Sequence, residues 1–217
     1  LYFANRSFIG KQLTALRDVG ATLGLFNKEY LPVELYTGLY NGDGLYNQEE
    51  WKTSFSFVFR TVLHPAENLQ LSFNYNSIRP EYKRMNLYDV GGYVDVNNWH
   101  LETEFFYKTY EDNFFTPTKG FFIFSGYDIH PTNQKTVKII RPLLRYDFMT
   151  DNNKGYKSEI GNYVTNDVAR SRITGGVTLC MDKPFLNDIR LNYEKYFYKN
   201  GIENNDDKFV IEFVVRF

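Results

Sequence analysis

With a single cysteine, Cys180, the chain cannot form an internal disulfide. It has no apolar run approaching the roughly 18 residues that a membrane helix needs, and its mean hydropathy is −0.45. A helical membrane protein is excluded on both counts. Neither sign of charge dominates: 25 Lys and Arg stand against 26 Asp and Glu, for a formal charge of −1. There is therefore no global basic field for nucleic acid. Histidine is scarce as well, three in all. His64 and His130 occur as "HP" in what read as short turns, and His100 opens a strand. None has the convergent partners that metal ligation or general-base work needs. The opening "LYFANRSF" lacks the basic and apolar regions of a signal peptide, so either a leader was cleaved or this is a piece of a longer chain.

Aromatic residues are plentiful, with 20 Phe and 18 Tyr making up most of an 18% share. They fall in alternation. In "DDKFVIEFVVRF" the apolar Phe209, Ile211, Phe213, Val215 and Phe217 interleave with a mixed face carrying Lys208, Glu212 and Arg216. "WKTSFSFVFRTVL" sets Phe55, Phe57 and Phe59 against Ser54, Ser56 and Arg60, and "LQLSFNYN" sets Leu71, Phe73 and Tyr75 against Ser72, Asn74 and Asn76. A period of two means strands whose side chains alternate between two environments. The pattern predicts an all-β chain of about eleven strands, near 16–26, 33–40, 51–63, 69–78, 87–96, 99–110, 120–129, 136–148, 171–181, 188–198 and 208–217. The facing of 33–40 and 120–129 is not fixed by alternation.

Short connections (Asn27–Pro32, "HPAEN", "NN", "HPTNQK", "DKPFLN") take turns with long polar ones ("NGDGLYNQEE", "RPEYKRMN", "EDNFFTPTK", 151–170, "KNGIENNDD"). A transmembrane antiparallel up-and-down β-barrel has this asymmetry, with tight periplasmic turns and long extracellular loops. Strands of this length cross a bilayer when tilted, and lipid then supplies the apolar medium. Trp51, Tyr75, Trp99, Tyr107 and Tyr193, near strand ends, suit interfacial girdles. An odd strand count cannot close such a barrel, so the expectation is an open wall that lacks N-terminal strands. The same aromatic richness also fits a soluble β-rich carbohydrate-binding domain.

The terminal "FVIEFVVRF" resembles the assembly signal of Gram-negative outer-membrane proteins. "ALRDVGATLGLF", "YTGLYNGDG", "RPLLRYDF", "GGVTLCMDKP" and "DIRLNYEKYF" together, in order, resemble the phosphate-selective porin O/P family across nearly the whole chain. The resemblance implies a sixteen-stranded, trimeric barrel in the outer membrane of a Gram-negative bacterium. It implies that residues 1–14 are the remainder of an inward-folded extracellular loop and 15–217 the C-terminal portion of a single barrel domain. "RPEYKRMN" would be a second inward-folded loop, and "NGDG" would lie in the loop between them.

A porin selects ions by rings of charge. Alternation places Lys52, Arg60, Lys108, Arg141, Arg145, Arg172, Arg190, Lys208 and Arg216 on the lumen face with Asp18, Asp89, Asp95, Glu102, Glu104, Asp147, Glu194 and Glu212. Most are expected to pair across strands and brace the wall. Basic residues at the expected constriction, Arg6 and Lys11 from one loop and Arg79, Lys83 and Arg84 from the other, join Arg60 as candidate anion-binding groups, because arginine's fork suits phosphate. Cys180 falls on the lumen face as a packed thiol. No lipid-face serine has a histidine at a matching place, as an outer-membrane hydrolase would need. The sequence thus reads as a non-enzymatic porin for small solutes or inorganic anions, without cofactor or nucleic acid. Its partners would be outer-membrane lipid and copies of itself. The alternative is a non-channel structural or binding barrel in a membrane complex.

Overall fold

The computed structural model describes residues 7–8, 19–27, 32–41, 55–79, 83–132, 136–157, 163–181, 187–199 and 206–215. Within them the chain forms β1 (Gly20–Asn27), β2 (Val33–Tyr40), β3 (Ser56–Ala66), β4 (Leu69–Ile78), β5 (Met85–Val96), β6 (Trp99–Tyr110), β7 (Thr118–Tyr127), β8 (Val137–Met149), β9 (Asn152–Lys157), β10 (Tyr163–Asp167), β11 (Arg170–Met181), β12 (Asn187–Tyr198) and β13 (Lys208–Val215). β9 and β10 make a separate hairpin. The other eleven strands form one sheet in chain order, each antiparallel to the next. Among the described residues β1 and β13 are its two edges, and the sheet does not close on itself. No described helix is long and apolar enough to cross a membrane, which says nothing of crossing by strands.

The eleven sheet strands correspond to the eleven read from alternation, with local corrections. β3 continues through His64 and Pro65 to Ala66, so "HPAEN" is not all turn. The His64 N–H donates to the Pro32 carbonyl at 2.9 Å, and a register shift between Leu63 and Ala66 accommodates the proline. β7 is displaced toward the N-terminus of the expected 120–129, leaving Ile129 as an isolated bridge to Ile140. The 151–170 segment, expected as plain loop, contains β9 and β10. The expected strand residues 16–18, 51–54 and 216–217 lie outside the described residues. At the two-residue turn between β5 and β6, Asn97 takes φ 54°, a conformation that Asn tolerates better than most residues.

Pairing propagates the period of two across the sheet. Arg60, Asn74, Asp89, Phe106, Gly120 and Met149 stand in one row on one face. Phe59, Tyr75, Tyr88, Tyr107 and Lys119 stand in a row on the other. The registers also fix the facing of β7, with Thr118, Gly120, Phe122 and Phe124 on the first face. That first face holds almost all the strand charges. It also carries an apolar cluster of Ile78, Met85, Leu87, Phe106, Tyr110, Phe122, Phe124 and Leu143, with Phe115 packed against it. Phe106 is 1% exposed, and burying such a side chain contributes about 1.5–3 kcal/mol.

The opposite face is apolar and exposed. Leu23, Leu25, Val90, Phe105, Ile123, Leu144, Phe209 and Phe213 all lie open on it. Among the described residues its strand positions include no Asp, Glu or Arg, and three lysines, Lys119, Lys138 and Lys195, near strand ends. Aromatic rings stack across strands at two levels. Tyr75 and Tyr88 lie 5.1 Å apart and Tyr88 and Tyr107 6.3 Å, with the Lys119 ammonium 5.8 Å from the Tyr107 ring. At the rim with the shorter turns, Trp99 and Tyr127 lie 4.8 Å apart.

Candidate functional site

Three groups of charged side chains lie on the polar face and its rim, and each is built by register. The first runs from β8 to β13. Arg172 of β11 opposes Asp147 of β8 and Tyr196 of β12. Its Nη2 and Nε donate to Asp147 Oδ2 at 2.9 and 3.1 Å, and Nη1 donates to Glu194 Oε2 at 3.2 Å. Arg145 Nε donates to the same Asp147 oxygen at 2.8 Å. Tyr196 donates its hydroxyl to Glu194 at 2.8 Å and accepts from Arg172 Nη1 at 3.2 Å. Arg190 reaches Glu212 at 2.8 Å and Asp188 at 3.7 Å, and Arg141 holds Asp128 at 2.6 Å. Arg145, Asp147, Arg172 and Glu194 are almost fully buried, where an unpaired charge would be costly. The cross-strand bracing expected for the wall is therefore present at Arg141, Arg172 and Arg190, while Arg145 pairs with Asp147 within β8.

Phe8 joins this network. It is 3% exposed, its backbone N–H donates to Asp147 Oδ1 at 3.2 Å, and its ring stands 4.8 and 4.6 Å from the Arg170 and Arg172 guanidinium carbons. Such desolvated cation–π contacts contribute about 1–2 kcal/mol each. Nothing in the period of two pointed to Phe8, because it does not lie in a strand. Asn152, which accepts from the buried Lys108, escaped the sequence reading too.

The second group is acidic and lies on β5 and β6. Asp89 is 2% exposed; its Oδ1 accepts from Asn74 Nδ2 at 2.6 Å, while the buried Oδ2 accepts no hydrogen bond. Glu104 leans over Gly91, its Cγ 3.3 Å from where a Cβ would stand. Nearby, His100 lies between Asp95 and Glu102, with Nδ1 at 2.7 Å and Nε2 at 3.4 Å. Arg60, across the row from Asn74, is exposed and makes no hydrogen bond or ion pair among the described residues. Phe106, Phe122, Phe124 and Leu143 separate this group from the arginine network. Among the described residues no three His, Cys, Asp or Glu side chains converge as a metal-ligating group.

The third group is the basic rim between β4 and β5. Lys83 Nζ donates to Asp112 Oδ2 at 2.9 Å and sits 5.1 Å from the Phe114 ring. Arg84 Nη1 donates to the Ser77 hydroxyl at 3.1 Å and to the Phe55 carbonyl at 3.3 Å. Both cations are thus tied to neighbouring chain, and Arg79 is exposed. At the far end of the sheet, His64 lies 3.2 Å from Glu34, which also accepts from the Tyr36 hydroxyl at 2.7 Å. Of the remaining expected charges, Arg6, Lys11, Asp18, Lys52 and Arg216 lie outside the described residues. Cys180 is half-buried on the polar face. Compared with known proteins, the chain matches no family model, no curated protein and no solved structure.

Proposed function

We propose that this sheet is a large part of the wall of a transmembrane β-barrel in a bacterial outer membrane. Its apolar face meets lipid and its polar face lines the lumen of a porin, through which small solutes, phosphate and other inorganic anions among them, diffuse passively. The observation that carries this reading is the segregation of charge. The exposed face presents Phe213 at 71% and Phe209 at 66% exposure and no described carboxylate. In water such a surface far exceeds the apolar patches that soluble monomers tolerate, which disfavours the soluble carbohydrate-binding reading. In lipid it is the expected surface, since a Lys or Arg at mid-bilayer costs about 2–4 kcal/mol.

The aromatic levels support the same placement. Trp99 and Tyr107 are eight residues apart on β6 (107 − 99), about 26 Å along a strand and about 20 Å along the normal at a 40° tilt. That is close to the roughly 25 Å apolar band of such barrels. The open edges of β1 and β13 would be costly in hydrocarbon, where each unpaired backbone group costs several kcal/mol. The reading therefore requires further strands to close the wall, sixteen in all as the porin resemblance implies.

A second reading, a barrel with a filled lumen that serves as a structural or binding subunit, is favoured by the buried Phe106, Phe122 and Leu143 on the lumen side. Planar-bilayer recordings on the refolded protein separate the two. Steady ohmic conductance is expected of the porin, and folded protein without conductance would favour the second. Protein that stays monodisperse without detergent would overturn both.

A further inference from the structure

Lys119 is exposed on the apolar face, one residue into β7 at the rim with the longer connections. Its backbone is clamped to the end of β8. Its N–H donates to the Thr150 hydroxyl at 2.9 Å, and its carbonyl accepts the Thr150 N–H at 2.9 Å. The ammonium stands over the Tyr107 ring and pairs with no carboxylate among the described residues. The other two lysines of this face differ: Lys195 is offset by Asp207, and Lys138 lies at the opposite rim. A second cation reaches the same rim on the same side. Arg84 Nη1 donates to the Ser77 hydroxyl at 3.1 Å, and Ser77 stands on the apolar face in one row with Phe57, Asn86 and Thr109. Ser77 on β4 and Lys119 on β7 are three strand spacings apart, about 14 Å. The strip between them is polar but uncharged. Asn86 accepts the Tyr75 hydroxyl at 3.0 Å, Tyr88 is exposed and Thr109 half-buried. Toward mid-strand the same face turns wholly apolar, with Phe73, Val90 and Phe105 exposed in one row.

This order of chemistries points to a docking surface for a glycolipid that carries a phosphate at each end of its sugar headgroup. One phosphate pairs with the Lys119 ammonium and the other with the Arg84 guanidinium, whose planar fork suits it. The sugar rings lie against Tyr88 and meet Asn86 and Thr109, and the acyl chains run down over Phe73, Val90 and Phe105. Tyrosine rings belong at this headgroup level, where one end is apolar and the other wet. A phospholipid with a single phosphate engages only one of the two cations, so the separation of Arg84 and Lys119 selects the longer headgroup. The inference rests on the membrane reading of this face and deepens it, placing one class of lipid, in the leaflet at the long-connection rim, against β4 to β7.

Native mass spectrometry of the folded protein in detergent micelles, titrated with bis-phosphorylated lipid A, tests the inference. Saturable binding is expected, weakened about tenfold in Lys119→Gln and in Arg84→Gln through loss of a charge-assisted hydrogen bond. Lys119→Arg should retain it, and Lys138→Gln, at the other rim, should leave it unchanged. Lipid A stripped of its phosphates should bind more weakly by a similar factor, and inorganic phosphate in excess should not displace the intact lipid. Folding of each variant is checked by its β-sheet circular dichroism. Absence of saturable binding, binding unchanged in either Gln variant, equal binding of the stripped lipid, or displacement by inorganic phosphate overturns the site. Arg84→Gln also alters the field at the rim, so the readout is lipid binding and not conductance. Detergent-dependent protein that fails to bind lipid A overturns this inference and leaves the membrane reading standing. Protein that stays monodisperse without detergent overturns both.

Discussion

Asp147 Oδ2 accepts two hydrogen bonds from Arg172, at 2.9 and 3.1 Å, while Asp147 Oδ1 accepts the Phe8 N–H. One carboxylate thus links β8, β11 and a segment far away in the chain. Replacing Asp147 with Asn would leave the Arg145 and Arg172 charges undercompensated in a dry setting. Breaking a buried pair from one side costs about 3–5 kcal/mol. Denaturant unfolding in micelles should show a loss of that order, and an unchanged midpoint would mean the network is solvated.

The lipid-facing placement proposed for the apolar face predicts a depth-dependent response to charge. Ile123→Arg, in the middle of β7 on the apolar face, should destabilise the membrane-folded protein by about 2–4 kcal/mol, and Tyr127→Arg, at the strand end, by about 0–1 kcal/mol. Unfolding from lipid vesicles measures both. In a water-exposed sheet both changes would be mild, and the contrast between them would vanish.

Two adjacent glycines test the register. A Cβ on Gly176 would collide with Asn192 Oδ1 and stand 2.6 Å from the Leu191 carbonyl, whereas one on Gly175 meets nothing within 4 Å. Gly176→Ala should therefore cost about 1–3 kcal/mol through overpacking. Gly175→Ala should stabilise by roughly 0.5–1 kcal/mol through lost backbone freedom in the unfolded chain. Equal effects would mean that β11 and β12 pair differently.

On the proposed porin reading, replacing Arg79, Lys83 and Arg84 together with Gln should move the reversal potential toward cations in a salt gradient, more at low salt than at high. The Debye length of about 8 Å at physiological ionic strength sets that dependence. Asp112 already offsets Lys83, so the single Lys83→Gln change should contribute least of the three. An unchanged potential in the triple variant would remove these residues from any role in selectivity.

Asp207, beside β13, is held below the ordinary aspartate range by its hydrogen bond from Lys195, and then by that from the Tyr196 N–H. A depressed carboxyl stabilises above its unfolded pKa of about 3.9 and loses that contribution as pH falls through the lower folded value. Protection of the Tyr196 amide against exchange, relative to its intrinsic rate, should thus hold at neutral pH and fall only in strong acid. Asp207→Asn should lower that protection at neutral pH and match the unsubstituted protein in strong acid. Equal exchange in the two proteins at neutral pH would count against the clasp.

Alternation revealed the strands because both faces are chemically distinct over most of their length, as at Phe57, Phe59 and Arg60 in β3. It did not reveal the buried Phe106, since in "EFFYK" two consecutive phenylalanines necessarily face opposite sides and the pattern alone assigns the second to solvent. The ion pairs were legible only as candidates. Arg172 and Asp147 are 25 residues apart, and a pairing shifted by one residue would separate them. The contribution of Phe8 was not legible at all, because a side chain outside a strand carries no periodic signal.

The unequal turns at the two rims have a consequence for the order of assembly. β3–β4 and β5–β6 are joined by two residues each, Glu67–Asn68 and Asn97–Asn98, so each hairpin closes with almost no loop entropy. Joining β8 to β11 must bring together segments separated by 150–169, β9 and β10 included. Each doubling of a flexible loop adds only about 0.6 kcal/mol to closure, but non-local pairing slows folding steeply. The first hairpins should zip early as independent units, and the β8–β11 seam should close late. The Arg172–Asp147 bond lies on that seam, so it can lock the sheet only after both halves have formed.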